Sequence, residues 1–121
     1  MSSRSSVVST GCLGDFMKLV KAIVRPERVD DVVDALQNAG YPSFTKIDVV
    51  GRGKQGGLRV GDVIYDELPK TLLLIAVNDD EVGKVVETIK SSAYTGNFGD
   101  GKIFIQQIEE AYTIRTGESG I

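Results

Sequence analysis

The elements read along this chain run strand, helix, strand, strand, helix, strand. That order predicts an α+β domain with one antiparallel sheet and both helices on one face. Three observations carry it. Two apolar runs of strand length, at 19–24 and 71–77, each lead into a segment whose apolar residues recur at helical spacing. A glycine-rich stretch, GRGKQGGLRVGDVIYDEL, separates the second strand from the third. The 121 residues fit one domain.

Residues 1–16, MSSRSSVVSTGCLGDF, are serine-rich and show no sustained period. They read as a disordered N-terminal extension, or as a start assigned upstream of Met17; a targeting or regulatory tail is the alternative. Val7 and Val8 are too short an apolar core for a secretory signal. The domain is expected over 17–121. Leu19, Val20, Ala22, Ile23 and Val24 predict a first strand buried on both faces. Pro26 suits a helix start, where its missing N–H costs nothing. Val29, Val32, Val33, Leu36 and Ala39 form the apolar stripe of that helix, and Gly40 ends it, with Pro42 close behind. Phe44, Ile47, Val49 and Val50 predict the second strand.

The stretch 51–68 is long for a connection in so small a domain, which marks it as functional or mobile. After Pro69, TLLLIAV (71–77) predicts a central strand. Asn78 or Asp79 suits a cap for the next helix, with Val82, Val85, Val86 and Ile89 as its buried stripe. SAYTGNFGDG reads as a turn, KIFIQQIEE as a fourth strand and AYTIRT as a short fifth. This is the split βαβ, ferredoxin-like arrangement, βαββαβ. Its helices cover one face of the sheet. Strand 71–77 is apolar at every position after Thr71, so the other face wants cover too, and self-association through it is the physical expectation.

The bulk numbers exclude several functions. A net charge of −3 argues against bulk nucleic-acid binding. No apolar run approaches the roughly 20 residues of a membrane-spanning helix. The single cysteine, Cys12, cannot form an internal disulfide, which fits a reducing cytoplasm. The chain has no histidine, the commonest general base and metal ligand.

Four places concentrate unusual residues. Gly51-Arg52-Gly53-Lys54-Gln55-Gly56-Gly57 reads either as an anion-binding nest flanked by cations or as a mobile linker. Lys70, after Leu68-Pro69, suits a carboxylate or phosphate partner and equally a solvated strand end. Gly99-Asp100-Gly101-Lys102 lets backbone approach a ligand closely. It opens a strand, not a helix, so it lacks a macrodipole and depends on amides and cations. Its ordinary reading is a glycine turn in which Asp100 satisfies the local backbone. Arg115, in IRTG, could fork onto a phosphate or pair with a surface carboxylate. Together, these segments bring cations to strand ends or loops without a nucleophile, base or metal cluster beside them, a pattern suited to a nucleotide sensor.

MKLVKAIVRPERVDDVVDALQNAG, GRGKQGG, LPK, TGNFGDGKIF and IRTGE together closely resemble the PII signal-transduction family, from Met17 to Glu118. The resemblance implies a trimer of ferredoxin-like subunits that binds ATP or ADP in clefts between neighbours. It also implies sensing of 2-oxoglutarate with Mg2+ at the base of a long loop between strands 2 and 3, the T-loop. By matched position, Gly99, Asp100, Gly101 and Lys102 would wrap the nucleotide phosphates, and Arg115 would reach them. Ile23, Thr45 and Gly51 would lie around adenine and ribose. Gly53, Lys54 and Gln55 would form the loop base on the nucleotide, Gln55 helping to hold Mg2+ and, with Gly53 and Lys70, 2-oxoglutarate. The phosphate turn would work without its own helix because a neighbouring subunit closes the cleft.

The departures point to a branch. The loop is shorter than in common bacterial members and lacks a tyrosine at its apex, so uridylylation is not expected. Thr113 stands where those proteins usually carry a second arginine, and Leu74 where they carry a glutamate, which bears on nucleotide affinity. GRGKQ-x-G-x-x-VG-x-x-x-YDELPK instead resembles the Nif-type branch of archaea and anaerobic bacteria. That implies a cytoplasmic, non-enzymatic regulator that switches nitrogenase off after ammonium appears, as a homotrimer or with a paralogous PII subunit. The loop would touch its target through Arg59, Val60, Asp62 and Tyr65. An ammonium transporter or glutamine synthetase is the alternative target. A small ATPase on the same scaffold is the reading from another class, and the missing histidine and nucleophile weigh against it.

Overall fold

The computed structural model describes residues 16–52, 58–60, 63–65 and 67–121. The extension expected over 1–16 falls, but for Phe16, outside them.

Strand β1, Met17–Val24, is followed by a 3-10 turn, Pro26–Arg28, with proline at its start. The chain then enters α1, Val29–Asn38, which buries Val29, Val32 and Leu36. Asp30 and Asp31 occupy its first turn, where negative charge complements the helix dipole. Gly40 takes φ 99°, and the Tyr41 N–H donates back to the Leu36 carbonyl at 2.8 Å, so the helix ends where the sequence predicts. Strand β2 is Thr45–Gly51. Strands β3, Leu58–Val60, and β4, Val63–Tyr65, pair in a two-stranded sheet of their own. The long strand β5, Leu68–Asn78, leads through a 3-10 turn to α2, Val82–Ala93, which buries Val85, Ile89 and Ala93. Strand β6 is Gly101–Ile108.

The main sheet has the order β2-β5-β1-β6 with every neighbouring pair antiparallel, the ferredoxin-like topology. Val20 lies opposite Ile75 and Ile105, and Ala22 opposite Leu73 and Ile103. Side chains alternate across the sheet. Val20, Ala22, Val24, Leu73, Ile75 and Val77 therefore share one face and join the buried residues of both helices in a single core. Burying a side chain such as Leu73 contributes roughly 1.5–3 kcal/mol. The opposite face carries Leu19, Lys21 and Ile23 between Leu72, Leu74 and Ala76 on one side and Lys102, Phe104 and Gln106 on the other. Ile47 and Phe104 on this face are 44% and 47% exposed. No helix among the described residues is long and apolar enough to cross a membrane.

Several boundaries move. Strand β5 starts at Leu68, ahead of the predicted Thr71. It tolerates Pro69 because β1 pairs with it only from Thr71 onward, which leaves one side of the early strand unladdered. The stretch 51–68 contains the β3–β4 hairpin. Helix α2 continues through Ala93, so the turn predicted over SAYTGNFGDG begins later. Neither Asn78 nor Asp79 caps that helix with its side chain; Asp79 instead pairs with Lys18 at 2.7 Å. The fifth strand does not form: Tyr112 and Ser119 make one isolated bridge around a turn in which the Gly117 N–H donates to the Thr113 carbonyl.

Candidate functional site

The end of β1, the end of β2 and the starts of β5 and β6 meet at one end of the sheet, through the pairs Val24–Gly101, Val24–Thr71 and Gly51–Leu68. Across this end lies the turn between α2 and β6. Tyr94 leaves the helix with extended backbone, and Gly99 and Gly101 both enter the left-handed region, at φ 95° and 113°. Gly101 is obligatory twice over, since a Cβ there would lie 1.7 Å from the Ile23 carbonyl oxygen.

Asp100 is the hub of the turn. Its carboxylate accepts from the backbone N–H groups of Thr95, at 2.8 Å, and Gly96, at 2.9 Å, and from the Thr95 hydroxyl. Arg25, the residue after β1, donates to the same carboxylate from Nε at 3.0 Å. Partial burial works against the charge, but the bonds from Thr95, Arg25 and Gly96 outweigh it and hold the carboxyl below the usual carboxylate range. The other arm of Arg25 donates to the Phe98 carbonyl at 2.6 Å. Lys70 donates to the next carbonyl, that of Gly99. Burial and the neighbouring Arg25 charge lower the Lys70 pKa.

The two cations border one small space. A Cβ built on Gly99 would lie 3.3 Å from an Arg25 nitrogen and 3.4 Å from Lys70 Nζ. The Lys70 stem passes Gly51, 3.8 Å from where a Cβ there would stand. Lys70 thus spans from the last residue of β2, where the glycine-rich loop begins, to the turn. Lys102 follows in register with Ile23, whose other neighbour is Leu72, itself opposite Ile47. Such a concentration of cations beside a glycine turn suits a polyanion.

The predicted residues divide accordingly. Ile23, Gly51, Lys70, Gly99, Asp100, Gly101 and Lys102 come together at this end of the sheet. The Asp100 carboxylate is taken up inside the turn, as the ordinary glycine-turn reading has it, so only its backbone is left to face an anion. Thr45 lies further along the sheet, opposite Leu74. Arg115 stands exposed in the C-terminal turn, and among the described residues no hydrogen bond or ion pair joins it to the turn at 95–101. Thr113 closes that C-terminal turn, donating its N–H to the Glu118 carbonyl at 2.8 Å. Gly53, Lys54, Gln55 and Asp62 fall outside the described residues, as do the side chains of Arg59, Val60 and Tyr65. Arg25 is the functional residue that the sequence reading omits. Its signal is a cation between a buried strand and a proline, a place where the backbone is held extended.

Residues 17–118 match the family described as Nitrogen regulatory protein P-II. A "Nitrogen fixation nifHD region GlnB-like protein 1" from Methanothermococcus thermolithotrophicus is 78% identical over 105 residues, which are 87% of this chain and 100% of that relative. "Nitrogen regulatory protein P-II 2" of Methanothermobacter thermautotrophicus is 51% identical over 109 residues, covering 87% of this chain and 95% of its own length. Among solved structures, Arabidopsis thaliana PII bound to citrate superposes with a TM-score of 0.72 at 36% identity, covering 86% of this chain and 85% of that one. Fold, glycine turn and sequence agree, and the chain belongs to the nitrogen regulatory protein P-II family, in its Nif-type branch.

Proposed function

We propose that this chain senses ATP or ADP together with 2-oxoglutarate and controls nitrogenase through the loop at 52–67. The observation that carries the reading is the position of Lys70. It sits on the strand that returns from the loop, and its ammonium rests on the Gly99 carbonyl of the glycine turn. An anion that recruits Lys70 therefore acts on the loop base and on the turn at once. The cationic donor set fits a nucleotide polyphosphate, which would bring charge and shape and no chemistry of its own. The turn amides and Lys102 would take the phosphates, with Arg115 supplied across a subunit boundary. Lys70 would take an oxoacid carboxylate, and Gln55 would share Mg2+ with both ligands.

Switching then requires only that 2-oxoglutarate with ATP favour a released loop over an engaged one. The apolar open face of the sheet supports assembly into a homotrimer, or a heteromer with a paralogous subunit, that closes the nucleotide cleft. The names of the nif-region relatives support nitrogenase as the target. Two experiments test this. Calorimetric titration of 2-oxoglutarate should give binding that needs MgATP and vanishes in Gln55→Ala; a titration silent in both conditions refutes the oxoacid sensor. Deleting residues 57–65 should abolish nitrogenase inhibition and spare ATP binding, and inhibition that survives the deletion removes the loop from the mechanism.

A further inference from the structure

The glycine turn is tied to the sheet chiefly by Arg25, a side chain distant in sequence that makes two bonds to it. Arg25 is 75 positions from Asp100 and 73 from Phe98, yet its guanidinium bonds both, one on each side of Gly99. Those two bonds bracket the peptide groups that flank the left-handed Gly99, the part of the turn with the most conformational freedom. The other bonds to Asp100 come from Thr95 and Gly96, inside the turn itself. They fold the turn on itself without fixing it to the sheet. Lys70 does reach the turn from outside, but through a single ammonium that carries no directional fork.

Arg25 is itself well placed for a fixed role. It has extended backbone, φ −63° and ψ 138°, because the following Pro26 disfavours the helical region at this position. Its side chain is 22% exposed and that of Asp100 23%, so the pair is sheltered enough to persist. Arginine also suits the task in a way lysine does not, since a planar fork can serve a carboxylate and a carbonyl at once.

We infer that Arg25 is a positioning residue: acting through Asp100 and the Phe98 carbonyl, it holds the turn at 95–100 in the shape that receives a nucleotide polyphosphate and thereby sets nucleotide affinity. This rests on the nucleotide-binding reading above. It assigns to Arg25 no required contact with the ligand. The spacing of the turn amides is what the ligand reads, and Arg25 maintains it.

The test uses the full chain. Wild type, Arg25→Ala, Arg25→Lys, Asp100→Ala and the double variant Arg25→Ala/Asp100→Ala are titrated with MgATP by calorimetry. Arg28→Ala serves as control, because Arg28 likewise bonds a backbone carbonyl across elements, that of Ser92 at 2.5 Å, without touching the turn. Backbone amide exchange at Thr95 and Gly96 is measured in the same ligand-free proteins. Arg25→Ala should weaken MgATP binding at least tenfold and speed exchange at Thr95 and Gly96 at least tenfold. Arg25→Lys should recover part of both, and Arg28→Ala should move neither. In the Asp100→Ala background, removing Arg25 should cost clearly less than the tenfold loss it causes in the wild type, since only its bond to the Phe98 carbonyl is left to lose. A full additional loss there would mean that Arg25 binds the ligand directly, and the positioning role falls. Wild-type affinity in Arg25→Ala, or unchanged exchange at both amides, also overturns it. If the wild type binds no nucleotide, the proposed function fails separately; unchanged exchange in Arg25→Ala then removes the turn-holding role as well.

Discussion

Among the described residues, a glycine turn around Gly99 to Lys102 and another around Arg115 to Gly117 each bear a cation, and they are held by different means. The first lies against the sheet. Arg25 and Lys70 reach it from other elements, and Gly101 presses on the Ile23 carbonyl. The second closes on itself, through Gly117 N–H to Thr113, Thr113 N–H to Glu118 and Gly120 N–H to Ala111, and Ile114 at its tip is fully exposed. A Cβ on Gly117 would meet nothing within 4 Å, although its φ is 74°. One turn is built into its domain by contacts from other elements; the other, among the described residues, is held by its own internal bonds alone.

Substitutions that separate the two turns follow in order of size. Gly101→Ala should be the most damaging, about 3 kcal/mol or more, because both the clash with Ile23 and the positive φ must be relieved by moving backbone. Chemical denaturation reads this directly, and a loss below about 1 kcal/mol would show that the turn is not seated on β1 at all.

Asp100→Ala should come next, at about 2 kcal/mol, since it strands the Thr95 and Gly96 amides and Arg25 together. The carboxyl's folded pKa is depressed below an unfolded value of about 3.9. Its stabilisation is therefore present above about pH 4 and is lost as pH falls from there through the folded pKa. Urea unfolding at pH 7 and pH 3 should show an acid-dependent loss of stability that shrinks in Asp100→Asn; an equal loss in both proteins would place the acid sensitivity elsewhere.

Gly117→Ala should cost only about 1 kcal/mol, from the left-handed backbone alone. Arg115→Ala should leave stability within about 0.5 kcal/mol while weakening MgATP binding. A thermal melt beside a titration separates the two effects. A large drop in melting temperature would mean that the C-terminal turn is packed as firmly as the first.

The contrast also explains what could be read in advance. Strand β1, the stripes of both helices and the central strand were legible because each rests on a local period that burial enforces, as with Val29, Val32 and Leu36 in α1. The one-sided placement of the helices followed from the element order. Local patterns fail where distant residues decide. Pro69 looked like a strand boundary, but the register with β1 stops at Thr71 and leaves room for it. AYTIRT has strand-like residues, yet Gly117 turns it back on itself. The glycine turn was legible in its composition, and so was the placing of Lys102 at the head of a strand. The tie from Arg25 was not, because nothing within the turn's own sequence points 75 residues back.

Titrating MgATP into wild type and Lys102→Ala by calorimetry tests most directly whether the sheet-anchored turn is a nucleotide phosphate site. Lys102 is exposed at the head of β6, so its removal should not disturb the fold. Saturable binding to the wild type that weakens at least tenfold in the variant, with matching melting temperatures, is the predicted result. Equal affinity in both proteins, or no binding to either, would contradict it.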